Sequence, residues 1–245
     1  MSGIRALHLK LQYSGTETPA VNISDLTVEP GEFMAIMGES GSGKTSLLRL
    51  IAGLESPDEG DIYIGGEWMN NTPVGRRPVQ MIFQSLALWP HLKVMDERGY
   101  SNLSFPLKVR RWTQAQIVDR VRGVSNRVGL KEELYSRRPN ELSGGERQRV
   151  ALARAMVTES KMFLMDEPLS SLDPISRPQM RTEIRRLHDE LGATTVYVTH
   201  NGVDARDMAD RIAVMQNGRI IRVGTYADLT SATADPYVRL LLSSF

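Results

Sequence analysis

Residues 33–45 read Phe33-Met34-Ala35-Ile36-Met37-Gly38-Glu39-Ser40-Gly41-Ser42-Gly43-Lys44-Thr45. Five apolar residues of strand character run into a loop of small residues that closes on Lys-Thr. Leu47, Leu48, Leu50, Ile51 and Leu54 follow at spacings that share one face of a helix. Strand, glycine loop and helix start together aim backbone N–H groups and a positive dipole end at one point, which suits a polyphosphate. In this reading Gly38, Glu39, Ser40, Gly41, Ser42 and Gly43 wrap the phosphates. Lys44 reaches the β- and γ-phosphates, and the Thr45 hydroxyl holds Mg²⁺.

The chain around this loop has 245 residues, enough for one large α/β domain or two small lobes. Thirty basic and 29 acidic residues leave a net charge of +1, so nothing demands a nucleic-acid partner. The absence of cysteine excludes disulfides and thiolate metal sites and fits a reducing compartment. Met1–Lys10 lacks a signal-peptide core, and no apolar run approaches the roughly 18 residues of a membrane helix. A soluble protein, held at a membrane only through a partner, is the expectation.

Strands are predicted over 4–13, where Leu7, Leu9, Leu11 and Tyr13 alternate, and over 20–28, 61–66 and 79–83. They return at 162–165, 194–198 and 211–215, and Asn217-Gly218 is a strong hairpin signal leading into 219–223. Between about 86 and 160 the texture is helical. Thr113-Gln114-Ala115-Gln116 is a capping box, with Ile117, Val121, Val124 and Val128 behind it. Residues 225–245 read as two short helices. The layout is an α/β core, about 4–85 and 161–224, interrupted by a helical block.

Met162–Met165 is an apolar run that ends on Asp166-Glu167. A buried strand ending in acids delivers them to the ligand-binding edge of a parallel sheet. There Asp166 would help hold Mg²⁺ and Glu167 would polarise an attacking water. Leu142-Ser143-Gly144-Gly145-Glu146 opens a helix carrying Val150, Leu152, Ala153 and Met156. Ser143 and Glu146 are spaced as a capping box, and the same bare helix start is an anion site, so both roles can hold together. It lies 99 residues beyond Lys44, so either one site is filled by two loops or a second copy supplies the second loop. Asp173 can cap the helix that runs on from Ser176.

These elements together resemble the ATPase subunit of an ABC transporter. Gly38–Thr45 is similar to the Walker A motif, Phe163–Asp166 to Walker B, and Leu142–Glu146, continuing Arg147-Gln148-Arg149, to the LSGGQ signature with Glu146 in the glutamine's place. The resemblance implies a catalytic role for Glu167, a Q-loop role for Gln84 toward Mg²⁺ and nucleotide, a D-loop at Ser170–Asp173, and a switch histidine at His200. It also implies that Tyr13, 31 residues before Lys44, stacks on adenine. The implied fold is a P-loop NTPase core with N-terminal antiparallel strands and an inserted α-helical subdomain, spanning about 4–230. The implied cofactors are ATP and Mg²⁺. The implied assembly is a head-to-tail homodimer, or pseudo-dimer, on two membrane-spanning permease subunits at the cytoplasmic face, served indirectly by a solute-binding protein.

Phe83–His91 and Asn102–Lys108 are similar to the importer ATPases for sugars, polyamines, ferric iron and oxyanions. Two departures stand out. That group usually continues into a C-terminal regulatory β-domain, which is not expected in a chain ending at Phe245, and it usually has an acidic, Gln-containing turn where this chain reads Asn201-Gly202-Val203-Asp204-Ala205. Import is the expectation, with an exporter or lipid-extraction motor, or a non-transport ABC ATPase, as alternatives.

Overall fold

The structure, a computed structural model, describes residues 3–231 and 235–243. Two sheets organise it. The first is four-stranded, in the order β2-β1-β4-β5, from β1 (Ile4–Leu11), β2 (Val21–Val28), β4 (Glu59–Ile64) and β5 (Glu67–Trp68). Its pairings are antiparallel.

The alternation expected along β1 is broken in the middle. Ile4, Ala6, Leu9 and Leu11 are buried, whereas Leu7 is not. A register shift against β4 between Leu7 and Lys10, with His8 at φ 49°, inserts the extra residue that flips the parity. Gly60 lies opposite, where a Cβ would run into the Leu7 and His8 carbonyls. The strand also stops at Leu11, leaving Tyr13 beyond it in a turn.

The second sheet has six strands, in the order β10-β9-β3-β8-β7-β6. They are β3 (Phe33–Met37), β6 (Gln80–Ile82), β7 (Met162–Asp166), β8 (Thr194–Thr199), β9 (Arg211–Gln216) and β10 (Arg219–Gly224). Strands β3, β7 and β8 are buried at every residue, as continuous apolar runs covered on both faces must be. β3 pairs with β8 and β9, and β7 with β8, in parallel. The β9–β10 turn has Asn217 at φ 49° and Gly218 at φ 77°, the left-handed pair a tight hairpin requires.

Register decides what this sheet presents. Met37 pairs with Thr199, and Asp166 with Val198. Gly38, Glu167 and His200 therefore leave the sheet at one level, at the carboxyl ends where ligands of such sheets bind.

The helices are α1 (Lys44–Ala52), α2 (Phe105–Val109), α3 (Gln114–Arg127), α4 (Gly144–Met156), α5 (Ser176–Leu191), α6 (Gly202–Met208), α7 (Tyr226–Thr230) and α8 (Pro236–Ser243). The helical texture expected from about residue 86 begins only at Phe105. Before it, Asn102 does what a helix ladder would do. Its amide accepts from Trp89 N at 2.9 Å and donates to the Trp89, Leu92 and Lys93 carbonyls at 3.1–3.2 Å. Asn102 is buried, and the backbone groups that come in around it need partners of this kind.

Packing divides the chain into two compact units, 1–81 with 161–167 and 188–245, and 82–160 with 168–187. The second unit takes in 168–187, which sequence reading assigned to the core. Its internal ties explain the difference. Arg149 on α4 meets Glu183 on α5 at 3.1 Å, and a Cβ at Gly144 would lie 3.4 Å from Leu172. The 225–245 tail carries α7 and α8. Its residues 232–234, 244 and 245 lie outside the described residues. Among the described residues, no helix is long and apolar enough to cross a membrane.

Candidate functional site: a phosphate loop and its acidic neighbours

In the first unit, the phosphate loop is built on backbone shapes that only glycine tolerates. Gly43 has φ 101°, and a Cβ there would strike the Ala20 carbonyl. One at Gly38 would strike the Met215 carbonyl. The loop is thus pressed against β2's approach and the β9–β10 hairpin. Gly218 N donates to Ser42 O at 3.0 Å, and Asn22 N to Gly218 O at 2.7 Å. The hairpin was legible in sequence, but its bracing of the loop was not. No side chain caps α1 at Gly43, so the first-turn amides keep their capacity for an anion. A cleft of about 670 Å³ opens beside the loop, lined by Thr16, Thr18, Ala20, Gly41, Asn217 and Arg219 among others.

Lys44 is buried and turned back on its own loop. Its Nζ donates to Gly38 O at 2.8 Å and Glu39 O at 2.7 Å, with Ser42 Oγ at 3.4 Å. Burial lowers its pKa, against the Glu167 and Asp166 charges, which raise it. A desolvated ammonium parked on two carbonyls gains strongly from a phosphate.

Thr45 Oγ1 donates to Asp166 Oδ1 at 2.9 Å. Asp166 is 6% exposed, and burial raises its pKa, only partly offset by the Thr45 bond. The two are hard oxygen donors of the kind Mg²⁺ takes, and the carboxylate lacks full compensation for its charge. Among the described residues no group of three or more His, Cys, Asp or Glu could hold a metal by itself.

Glu167 sits at φ 43°, a left-handed shape that is costly for a non-glycine residue. Its amide donates to Val198 O at 3.0 Å, which holds the strain in place. The side chain is turned toward the end of β8, where Glu167 Oε2 lies 3.1 Å from His200 Nδ1. The departure at 201–205 has a local structural role. Asn201 caps α6, its Oδ1 accepting from Asp204 N at 3.0 Å, and Asp204 is buried.

Tyr13 stands beside the loop helix. Its hydroxyl donates to Ser46 Oγ at 3.2 Å while the residue is 36% exposed. The structure thus brings Tyr13, Lys44, Thr45, Asp166, Glu167 and His200 to one region of the first unit.

The other candidates lie in the second unit. Gln84 is exposed just beyond β6. Leu86 and Ala87, two residues further on, both have positive φ. Arg154 of α4 holds their carbonyls at 2.8 and 2.6 Å and lies 4.9 Å over the Trp89 ring. Burial pushes the Arg154 guanidinium down to about 10, so it stays charged at neutral pH. Nothing in the sequence pattern singled it out.

Ser143 and Glu146 form the capping box. Ser143 N donates to Glu146 Oε2 at 2.7 Å, and Glu146 N to Ser143 Oγ at 3.3 Å. Gly144 and Gly145 are the first two residues of that helix. Asp173 Oδ1 accepts from Ile175 N and Ser176 N, both at 3.0 Å, so it caps α5.

A sheet with a glycine loop, two strand-end acids and a histidine at one edge defines a P-loop nucleotide-binding protein of the cassette type. The chain belongs to the ABC transporter family, whose model matches residues 21–170. It is 45% identical, over its whole length, to the trehalose/maltose import ATP-binding protein MalK of Thermococcus litoralis, covering 65% of that protein. It is 46% identical over 90% of its length to the maltose/maltodextrin import ATP-binding protein MalK of Escherichia coli K12, covering 58% of it. With the sn-glycerol-3-phosphate import ATP-binding protein UgpC of Cupriavidus pinatubonensis it shares 41% identity over all of this chain and 64% of the relative. The chain thus spans less than two thirds of the length of these relatives. Among solved structures, a dimeric post-hydrolysis state of the ATP-binding cassette MJ0796 bound to ADP and Pi superposes with TM-score 0.77 at 29% identity, covering 91% of this chain and 98% of that one. A second dimeric structure of that cassette gives 0.79 at 30% identity and the same coverage.

Proposed function

We propose that this chain is the ATP-hydrolysing motor subunit of an ABC importer, with ATP as substrate. The observation that carries the reading is the shared edge of the parallel sheet, where Thr45 meets Asp166 at 2.9 Å and Glu167 meets His200 at 3.1 Å. The import direction rests on the relatives, all named as import ATP-binding proteins.

In this reading the loop amides and Lys44 bind the β- and γ-phosphates, and Tyr13 offers its ring to the adenine. Thr45 and Asp166 would hold Mg²⁺, which would supply neutralisation of phosphate charge; the Q-loop role of Gln84 toward that ion rests on the family resemblance. Glu167 accepts a hydrogen bond from the attacking water and orients it. His200, 3.1 Å from Glu167, keeps that carboxylate turned to the site and offers its other ring nitrogen toward the terminal phosphate.

Ser143, Gly144, Gly145 and Glu146, with Asp173, complete the site of a second copy in a head-to-tail dimer. The dimeric state of the MJ0796 structures supports pairing of two copies. Two permease subunits are the partners, with a solute-binding protein acting through them, and the subunit works peripherally at the cytoplasmic face. The docking candidate is an aromatic cluster in the second unit, with Trp89 4.7 Å and Tyr100 5.4 Å from Phe105 between ring centroids and Tyr100 58% exposed. A few apolar anchors with a polar rim suit a short helix.

The test is Glu167→Gln. The amide keeps the size and loses the acceptor charge, so Mg-ATP binding should survive, turnover should fall by about 10²-fold or more, and a stable dimer should appear on sizing with Mg-ATP. Retained turnover in a monomeric protein overturns the reading.

A further inference from the structure

The segment that leaves β6 takes a shape its own residues disfavour. Leu86 and Ala87 stand at φ 59° and 45°, two left-handed residues in succession, and neither is a glycine or an asparagine. Leu86 is buried, whereas Ala87 is exposed. A strained pair of this kind persists only where surrounding structure holds it.

Arg154 of α4 supplies the hold. Its two terminal nitrogens donate to Leu86 O at 2.8 Å and Ala87 O at 2.6 Å. Successive residues of helical shape turn their carbonyls the same way, and one planar guanidinium takes two such oxygens at once. The Trp89 ring lies 4.9 Å from the guanidinium carbon and 4.7 Å from the Phe105 ring. Asn102 fixes Trp89 in turn, through both its amide and its carbonyl. These groups all belong to the second unit.

The clamp reaches Gln84 through one further hydrogen bond. Leu86 N donates to Phe83 O at 2.8 Å, closing a turn whose two middle residues are Gln84 and Ser85. The near end of that turn hangs on β6, which stops at Ile82. Its far end is Leu86, whose carbonyl Arg154 holds. Gln84 is therefore placed by a strand on one side and by a guanidinium on the other.

We infer that Arg154 is a positioning residue for Gln84, its grip on the Leu86 and Ala87 carbonyls keeping the left-handed pair from relaxing and the Phe83–Leu86 turn in place. The inference rests on the family reading of Gln84 as directed toward Mg²⁺ and nucleotide. Without the clamp the pair falls back to ordinary backbone angles, and Gln84 moves with it. The phosphate loop of the first unit keeps its own hold on nucleotide, so the loss falls on turnover rather than on binding.

The experiment uses the full chain. It measures ATPase rates against Mg²⁺ concentration, Mg²⁺-free ADP binding by calorimetry, melting curves, and hydrogen exchange at the Leu86 amide. Arg154→Met should lower kcat about tenfold or more and raise the Mg²⁺ needed for half-maximal turnover about threefold, with Mg²⁺-free ADP affinity within about twofold of wild type. Exchange at the Leu86 amide should quicken. Arg154→Lys keeps the charge but not the fork, so it should show the same pattern to a smaller extent, and it carries the test should the methionine variant fail to fold. Ala87→Gly makes the left-handed shape free at one of the two positions. Alone it should leave kcat unchanged, and added to Arg154→Met it should restore about threefold or more of the lost kcat. A lower melting temperature for Arg154→Met with kcat per folded chain and Mg²⁺ dependence unchanged shows plain packing and overturns the inference, as does a loss of kcat that Ala87→Gly does not relieve. Gln84→Ala separates the two readings. It should reproduce the kcat and Mg²⁺ changes of Arg154→Met, and the double variant should be no worse than either. An impaired Gln84→Ala beside a normal Arg154→Met overturns the inference alone. Wild-type turnover in Gln84→Ala overturns the family reading of Gln84 and the inference with it.

Discussion

Replacing Arg77 by methionine should cost this protein about 3–5 kcal/mol. Arg77 is 6% exposed. Its guanidinium donates to Leu50 O and Ile51 O at 2.9 Å each, to Met69 O at 2.8 Å and to Thr72 O at 3.1 Å. Two of these acceptors are last-turn carbonyls of α1, where the helix dipole favours a cation, and Leu50 O shares its place with the capping Gly53 amide at 3.1 Å. Hydrogen bonds to a charged group contribute about 1.5–3 kcal/mol each, which for four gives a gross figure of about 6–12 kcal/mol. Burying the guanidinium offsets several kcal/mol of this. What remains gives the figure above; Leu50 O and Met69 O keep the Gly53 and Thr72 amides as donors, so the loss is that of the guanidinium's own bonds. Methionine keeps the stem's volume and flexibility, so the change isolates the head group. At roughly 2–4 °C per kcal/mol for a chain of this size, the melting temperature should fall by about 6–20 °C. Arg77→Lys should land between, because a point charge cannot span four carbonyls that a planar fork spans. Thermal melts by circular dichroism read the shift. Since α1 begins at Lys44, nucleotide affinity should fall in parallel. A drop under about 2 °C for Arg77→Met would refute the claim that this one side chain ties the end of α1 to the segment around Met69 and Thr72.

Lys44→Ala should reduce ATP turnover to background and weaken nucleotide binding, because the ammonium offsets phosphate charge in ground and transition states alike; steady-state rates and calorimetry check both. Ser143→Ala should cost about 0.5–2 kcal/mol through the lost cap alone, and a much larger loss of turnover than of folded protein would reveal its second role across a dimer interface. Mixing Ser143→Ala with Lys44→Ala chains tests that role, since only the heterodimer contains a composite site with both motifs intact, and ATPase rates across the mixing series should show partial recovery. Glu146 is held below its ordinary pKa, first by the Ser143 amide, so its capping contribution is in place above the unfolded carboxylate range and is lost as pH falls through its lowered folded value. The stability advantage of wild type over Glu146→Gln should therefore fade on acidification, read as melting temperature against pH.

The chemistry of this protein sits in short, contiguous patterns, and those are legible in the chain alone. Gly38–Thr45 announces a phosphate loop because the left-handed turn at Gly43 and the close backbone approach at Gly38 can be met only by glycine. Strands β3, β7 and β8 announce themselves as unbroken apolar runs because both their faces are covered. Caps at Thr113, Ser143 and Thr225 are local events between residues three apart, and the first two were visible for that reason.

What joins distant segments was decided by packing. The parallel register that brings Gly38, Glu167 and His200 to one edge depends on pairing Met37 with Thr199 and Asp166 with Val198, partners far apart in the chain that no local propensity encodes. The bulge at His8 turned Leu7 off the buried face that Leu9 and Leu11 keep, and it lies opposite Gly60 on another strand. Arg77 and Arg154 look like ordinary polar residues in the sequence. Each gains its role only where tertiary burial strips water from a charged head and leaves particular backbone groups as its neighbours, an energy that depends on three-dimensional desolvation and not on spacing along the chain.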